Sequence, residues 1–66
     1  MAPLPAAARD ELEMLARDGR WSDLHEWADR LAVDTRHAAL VEAVRHALQL
    51  LDFEHIRLLA RAAPSD

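Results

Sequence analysis

Apolar and polar residues alternate with a helical period along most of this chain. Leu24, for example, is followed by apolar residues three, four and seven positions later, which is the spacing of the buried face of an amphipathic helix. The same spacing recurs in three other segments, and no segment shows the strict alternation that is typical of a strand. The pattern therefore predicts four helices, at about residues 5–18, 22–33, 36–51 and 53–63.

The inward-facing positions of these four helices predict one hydrophobic core. On the third helix, the apolar seam that begins at Val41 continues to Leu51, and a stripe this broad is typical of a helix with neighbours on two sides. The residues expected in the core are Leu12, Leu15, Leu24, Trp27, Leu31, Val41, Val44, Leu48, Phe53, Ile56 and Leu59.

Residues between the apolar segments are suited to starting and ending helices. Pro5 fits a first helical turn, where its missing N–H has no helical acceptor. Gly19, the single glycine of the chain, fits the left-handed position just past a helix end. The expected N-terminal caps are Ser22 for the second helix, Asp34 or Thr35 for the third, and Asp52 for the fourth. Only a few residues connect each predicted helix to the next. Connections this short favour antiparallel neighbours, so we expect an all-α bundle of four short helices arranged as two helical hairpins.

Length, composition and charge exclude several classes of function for this chain. Sixty-six residues without a cysteine form one small domain that has no disulfide, thiolate metal site or thiol catalyst. Residues 1–34 hold eight carboxylates against four arginines, which disfavours nucleic-acid binding and favours a basic or neutral protein surface as partner. No apolar run approaches the roughly 20 residues that span a bilayer, and we expect a cytoplasmic protein.

Four histidines, at positions 25, 37, 46 and 55, are the candidates for metal binding or phosphotransfer. No two of them are four residues apart, as one-face zinc binding on a helix would require. Glu42 with His46 and Asp52 with His55 have the spacing of ordinary helix-surface pairs. Histidine phosphotransfer through His46 stays open as a weaker alternative. No nucleophile elbow or glycine-rich phosphate loop occurs; we therefore expect no enzyme, and no catalytic, cofactor or metal site.

Several large apolar residues do not fit the predicted core. Trp27 lies in the buried stripe of the second helix. Trp21 precedes the second helix, and its side chain either folds back over that helix or anchors an interface. Met14, Leu50 and Leu58 are offset from the apolar faces of their helices. Grouped exposed apolar residues mark binding patches, so Trp21, Met14, Leu50 and Leu58 are the candidate interface residues.

Two stretches of the chain carry a family resemblance. Residues 15–28, LARDGRWSDLHEWA, and residues 51–56, LDFEHI, followed by two leucines at 58 and 59, resemble the short helical segment that follows the receiver domain in many bacterial hybrid sensor histidine kinases. The resemblance covers about residues 12–60. It implies signalling by non-covalent contact, as a regulatory or docking appendage to a kinase or receiver, and it brings no catalytic residue.

Two functions from different classes are therefore expected of this chain. The first is a regulatory protein-interaction module of a bacterial two-component system, whose partner is a kinase or a receiver. The alternative is a docking or adaptor domain that joins neighbouring subunits of a multi-enzyme assembly such as a megasynthase. Because small helical docking domains are commonly dimeric, a homodimer would favour the second function.

Overall fold

The computed structural model describes residues 3–64, which form four α-helices and one short 3-10 turn. The helices are α1 (Ala6–Arg17), α2 (Trp21–Leu31), α3 (Ala38–Gln49) and α4 (Phe53–Ala62), and the 3-10 turn Thr35–His37 directly precedes α3. No β-strand forms between residues 3 and 64. The prediction of a small all-α bundle of four helices is thus confirmed.

The four helices close into a ring around one core. Each helix packs against the next one along the chain, and α1 also packs against α4. This contact between the first and last helices is the most extensive of all, and the Leu4 N–H adds a hydrogen bond of 2.8 Å to the Pro64 carbonyl. The two hairpins are therefore packed on each other chiefly through α1 and α4.

Most of the residues expected in the core are buried in one cluster that all four helices share. The buried ones are Leu12, Leu15, Leu24, Trp27, Val41, Val44, Leu48 and Ile56. Leu31, Phe53 and Leu59 are only partly buried and pack against this cluster, because each lies at the edge of its helix's inward face. The indole N–H of Trp27 donates to the Ala8 carbonyl at 3.1 Å, which ties α2 to α1.

Two buried residues were not expected in the core. Leu4 precedes α1 and is fully buried, since its backbone is bonded to the segment that follows α4. His37 is also buried, whereas the core predicted from the sequence contains no histidine. It is the last residue of the 3-10 turn, and this tighter turn changes the direction in which its side chain points.

Two of the predicted helix starts need correction. The helix α2 begins at Trp21 with Arg20 as its N-cap and no capping side chain, so Ser22 lies inside the first turn instead of capping it. The side chain of Asp34 caps the 3-10 turn by accepting from the Arg36 backbone N–H, and α3 begins only after that turn. The cap at the start of α4 is confirmed, because the Asp52 carboxylate accepts from the His55 N–H at 3.1 Å.

The helices α1 and α3 end in the same hydrogen-bonded turn, the Schellman motif. Its closing bonds run from the Arg20 N–H to the Leu15 carbonyl and from the Asp52 N–H to the Ala47 carbonyl, both at 2.9 Å. The left-handed residue of the motif is Gly19 after α1, with φ 66°, but Leu51 after α3, with φ 54°. Glycine tolerates this conformation, whereas a side chain with a Cβ is strained in it.

The Leu51 turn corrects the predicted length and face of the third helix. The helix ends at Gln49 instead of residue 51, because the chain becomes left-handed two residues later. Leu51 therefore does not continue the Val41 seam into the core and is 63% exposed. A strained residue that keeps a large apolar side chain in solvent contributes little to the packing of the fold.

Replacing Leu51 by glycine is expected to raise the free energy of unfolding by about 1 kcal/mol, because glycine adopts the left-handed conformation without strain. Gly19→Ala is the matched control. A Cβ at position 19 would meet no atom within 4 Å, so only backbone strain acts, and we expect a loss of about 1 kcal/mol. Urea unfolding followed by circular dichroism measures both. A loss of stability in Leu51→Gly would show that the leucine side chain contributes packing.

Candidate interaction surface

All four candidate interface residues have exposed side chains, and each belongs to a different part of the bundle. Met14 lies on α1, Trp21 starts α2, Leu50 follows α3 and Leu58 lies on α4. The Trp21 ring lies edge-on against the His25 ring with a centroid distance of 4.2 Å, yet Trp21 is 48% exposed. It thus folds partly onto its own helix and still offers half of its surface to a partner.

A groove between α1 and α2 contains Met14, whereas Trp21 is not among the residues that line it. Its volume is about 670 Å³, and it is open to solvent. Met14 and Leu15 from α1 supply its apolar part, whereas Glu26 and other residues of α2 supply the opposite side. Because Met14 is 46% exposed, the thioether side chain is accessible from the groove.

The charges around this α1–α2 groove are mostly negative. Its lining holds the carboxylates of Glu11, Asp23, Glu26 and Asp29 and the guanidinium groups of Arg20 and Arg30. Both arginines and three of the four carboxylates are engaged in ion pairs. Arg20 pairs with Asp23 at 2.6 Å and Arg30 with Glu11 at 3.0 Å, and Asp29 pairs with Arg45 of α3 at 2.8 Å. Glu26 forms no ion pair with any residue between 3 and 64. Exposed ion pairs are weak and exchangeable, so the groove keeps an excess of negative charge that is centred on Glu26.

The other exposed apolar side chains lie outside this groove. Leu50 and Leu51 are neighbours in the turn between α3 and α4, and both are more than half exposed. Leu58 lies on the outward side of α4, where the residues one turn away are exposed as well. Val33, which follows α2, is 87% exposed. The exposed apolar surface of residues 3–64 is therefore divided between Met14 in the α1–α2 groove, Trp21 at the start of α2, Leu58 on α4, and the loops.

A polar corner forms where α2 leads into the 3-10 turn. The Asp34 carboxylate accepts from the Arg36 guanidinium at 2.7 Å and from the Arg36 backbone N–H at 3.0 Å. These side-chain and backbone hydrogen bonds lower the pKa of Asp34 to about 2, so the carboxylate stays ionised and able to cap the turn at a lower pH than an ordinary aspartate. His37 Nε2 lies 3.7 Å from an Asp34 oxygen, and its Nδ1 is buried without a hydrogen-bond partner.

The four histidines do not come together in the described part of the chain. His25 contacts Trp21, His37 is buried beside Asp34, and His46 and His55 are exposed on α3 and α4. No group of three or more histidine, aspartate or glutamate side chains among residues 3–64 is arranged to hold a metal ion. His46 follows Arg45, but that guanidinium is paired with Asp29 at 2.8 Å.

No helix within residues 3–64 has the length and apolar character needed to cross a membrane. Comparison of the chain with protein-family models, with curated proteins and with solved structures gives no match. The interpretation of function therefore depends on the surface described above and on the resemblance carried by residues 15–28 and 51–56.

The sequence predicts that the four candidate interface residues are exposed, but it does not predict the groove, which only Met14 of the four lines. The offset of Met14 from the apolar face of its helix indicated exposure, and the structure places it between two helices. The sequence does not single out Glu26, because an isolated glutamate on a helix surface carries no distinguishing pattern. The excess of carboxylates in residues 1–34 was the available signal, and four of these carboxylates line the groove.

Proposed function

We propose that this chain is a non-enzymatic helical module that binds another protein, and that it acts in the cytoplasm as a regulatory appendage of a bacterial two-component system. The observation that carries the proposal is the exposure of two large apolar side chains, Trp21 at the start of α2 and Met14 in the α1–α2 groove, on an otherwise well-packed bundle. Tryptophan is enriched among the residues that dominate binding energy at protein interfaces. A partner that packs against the start of α2 would bury the Trp21 ring.

The chemistry of the described surface favours contact over reaction. The groove is open and solvated, and its carboxylates belong to exposed helix faces, whereas catalytic carboxyl groups gain their properties from desolvation and close charged partners. The groove combines an apolar side chain with charged neighbours, as protein interfaces do. Binding of a protein surface is the function that these features support best.

The two-component setting is supported by the resemblance of residues 15–28 and 51–56 to the segment that follows the receiver domain in hybrid sensor histidine kinases. In this chain the first stretch includes the end of α1, the Gly19 turn and most of α2, which are the elements beside the groove. The partner proposed is accordingly a histidine kinase domain or a receiver domain.

Trp21 fluorescence tests this function directly. The chain has two tryptophans, so the Trp27→Phe variant leaves Trp21 as the only indole. Purified kinase or receiver domains from the same genome are expected to shift the Trp21 emission in a saturable manner, because binding removes water from a half-exposed ring. The Trp21→Phe variant, with the buried Trp27 retained, is the matched control and should respond weakly. No saturable change with any of these domains would contradict the proposal.

The alternative function, a docking or adaptor domain of a multi-enzyme assembly, is favoured by the exposed Leu50 and Leu51 at one turn of the bundle. Two adjacent leucines in solvent are suited to self-association or to a neighbouring subunit. Light scattering distinguishes the two functions. If this 7.5 kDa chain forms a stable dimer, and if Leu50→Ser dissociates that dimer, the docking function is favoured. A monomer would favour the signalling appendage.

A further inference from the structure

The α1–α2 groove has the dimensions and apolar content to receive a helix. Its α2 side extends from Arg20 to Arg30, which at about 1.5 Å per residue corresponds to roughly 15 Å, or nearly three helical turns. Met14 lies exposed on its α1 side. Methionine is flexible and polarisable, so it adapts to apolar side chains of different shapes.

The charges of the groove specify the sign of the helix that would fit. Four carboxylates and two guanidinium groups line it, and Glu11, Asp23 and Asp29 are held in ion pairs with Arg30, Arg20 and Arg45. Glu26 is left without an ionic partner among the described residues and faces solvent. A ligand with positive side chains would complete this arrangement, whereas an acidic one would be repelled.

We propose that the α1–α2 groove binds a basic amphipathic helix of the partner protein, with lysine or arginine side chains directed to Glu26 and Asp23 and an apolar stripe packed on Met14. The inference rests on the proposed function, since it names the class of partner segment that this module binds. An amphipathic helix in a groove is an established mode of recognition, read by anchors at i, i+3, i+4 and i+7. With no β-strand between residues 3 and 64, the described chain presents no sheet edge to which an extended peptide could add.

The test uses the full 66-residue chain, labelled with nitrogen-15, and two synthetic helical peptides of about 14 residues. One peptide carries arginines along one stripe and leucines along the other, and the second carries glutamates in place of the arginines. The arginine peptide is expected to shift a contiguous set of amide signals around Met14, Asp23 and Glu26. Its binding should weaken as salt rises, and the glutamate peptide should not bind.

Charge reversal at one position distinguishes the groove from general attraction to an acidic protein. Glu26→Arg is expected to weaken binding of the arginine peptide about tenfold, because it reverses the unpaired charge of the site. Glu42→Arg is the matched control: Glu42 is exposed on α3 and has no ion pair within residues 3–64. The net charge changes equally in both variants. The affinity of the control variant for the arginine peptide should fall by less than about twofold. Met14→Ala should also weaken binding.

Several results would overturn the groove as the binding site. Equal losses of peptide affinity in Glu26→Arg and Glu42→Arg would show that only the net charge of the protein matters. Amide shifts confined to Leu50, Leu51 or Leu58 would place the ligand outside the groove. Concentration-dependent shifts of the groove amides without peptide would assign the groove to a second copy of the chain.

The same spectra separate this inference from the proposed function. If a kinase or receiver domain binds but leaves the groove amides unchanged, the groove assignment fails and the interaction module stands. If the arginine peptide binds in the groove while no kinase or receiver domain binds, the two-component partner fails and the groove assignment stands.

Discussion

The substitution Val44→Asp is expected to unfold the protein at neutral pH. Val44 is fully buried on α3, the helix that packs against both α2 and α4. An isolated carboxylate in such a site loses its hydration without gaining a partner, at a cost of several kcal/mol. A domain of this size has a total stability of only about 3–10 kcal/mol, so the cost takes most or all of it.

Val33→Asp is the matched control for Val44→Asp, because it introduces the same side chain at a valine that is 87% exposed. Its helical circular dichroism and cooperative thermal transition should be retained, with a change in stability within about 0.5 kcal/mol. Val44→Asp should lose both signals. A folded Val44→Asp protein at neutral pH would show that the inward face of α3 is misassigned.

The substitution Trp27→Ala is expected to lower the free energy of unfolding by about 3–5 kcal/mol. Trp27 is 2% exposed, belongs to the core cluster and donates its indole N–H to the Ala8 carbonyl. Alanine would leave a cavity between α2 and its neighbours and remove the hydrogen bond that joins α2 to α1. Urea unfolding at constant protein concentration measures the loss.

Trp21→Ala removes the same side chain from an exposed position and should cost less than about 1 kcal/mol. Trp27→Phe separates packing from hydrogen bonding: it keeps an aromatic ring and removes the N–H donor, so a loss of about 1–3 kcal/mol is expected. Similar losses in Trp21→Ala and Trp27→Ala would contradict the assignment of Trp27 to the core and Trp21 to the surface.

The helices could be predicted from the sequence because their signals are local. The apolar spacing in residues 24–31 and the capping aspartate at position 52 act within one or two turns, and Gly19 suits its left-handed turn without help from the rest of the fold. The end of α3 could not be predicted in this way. Leu51 continues the apolar period of its helix, and leucine rarely occupies the left-handed region, so periodicity extends the helix two residues too far.

Burial at the ends of helices depends on contacts between distant parts of the chain. Leu4 is buried because its segment is bonded to the Pro64 carbonyl, and His37 because a 3-10 turn precedes α3. Neither contact has a local sequence pattern. The exposure of Met14 was predictable from its offset within one helix, whereas its position in a groove with Glu26 depends on how α1 and α2 pack side by side.

Backbone hydrogen exchange of the full chain, with and without a purified receiver or kinase domain, tests most directly whether this bundle is a binding module. If it is, the partner should slow exchange at a contiguous set of amides around Met14, Trp21 and Glu26, with the Leu58 region unchanged. Unaltered exchange with every such domain, or protection scattered over all four helices, would contradict a dedicated recognition surface on α1 and α2.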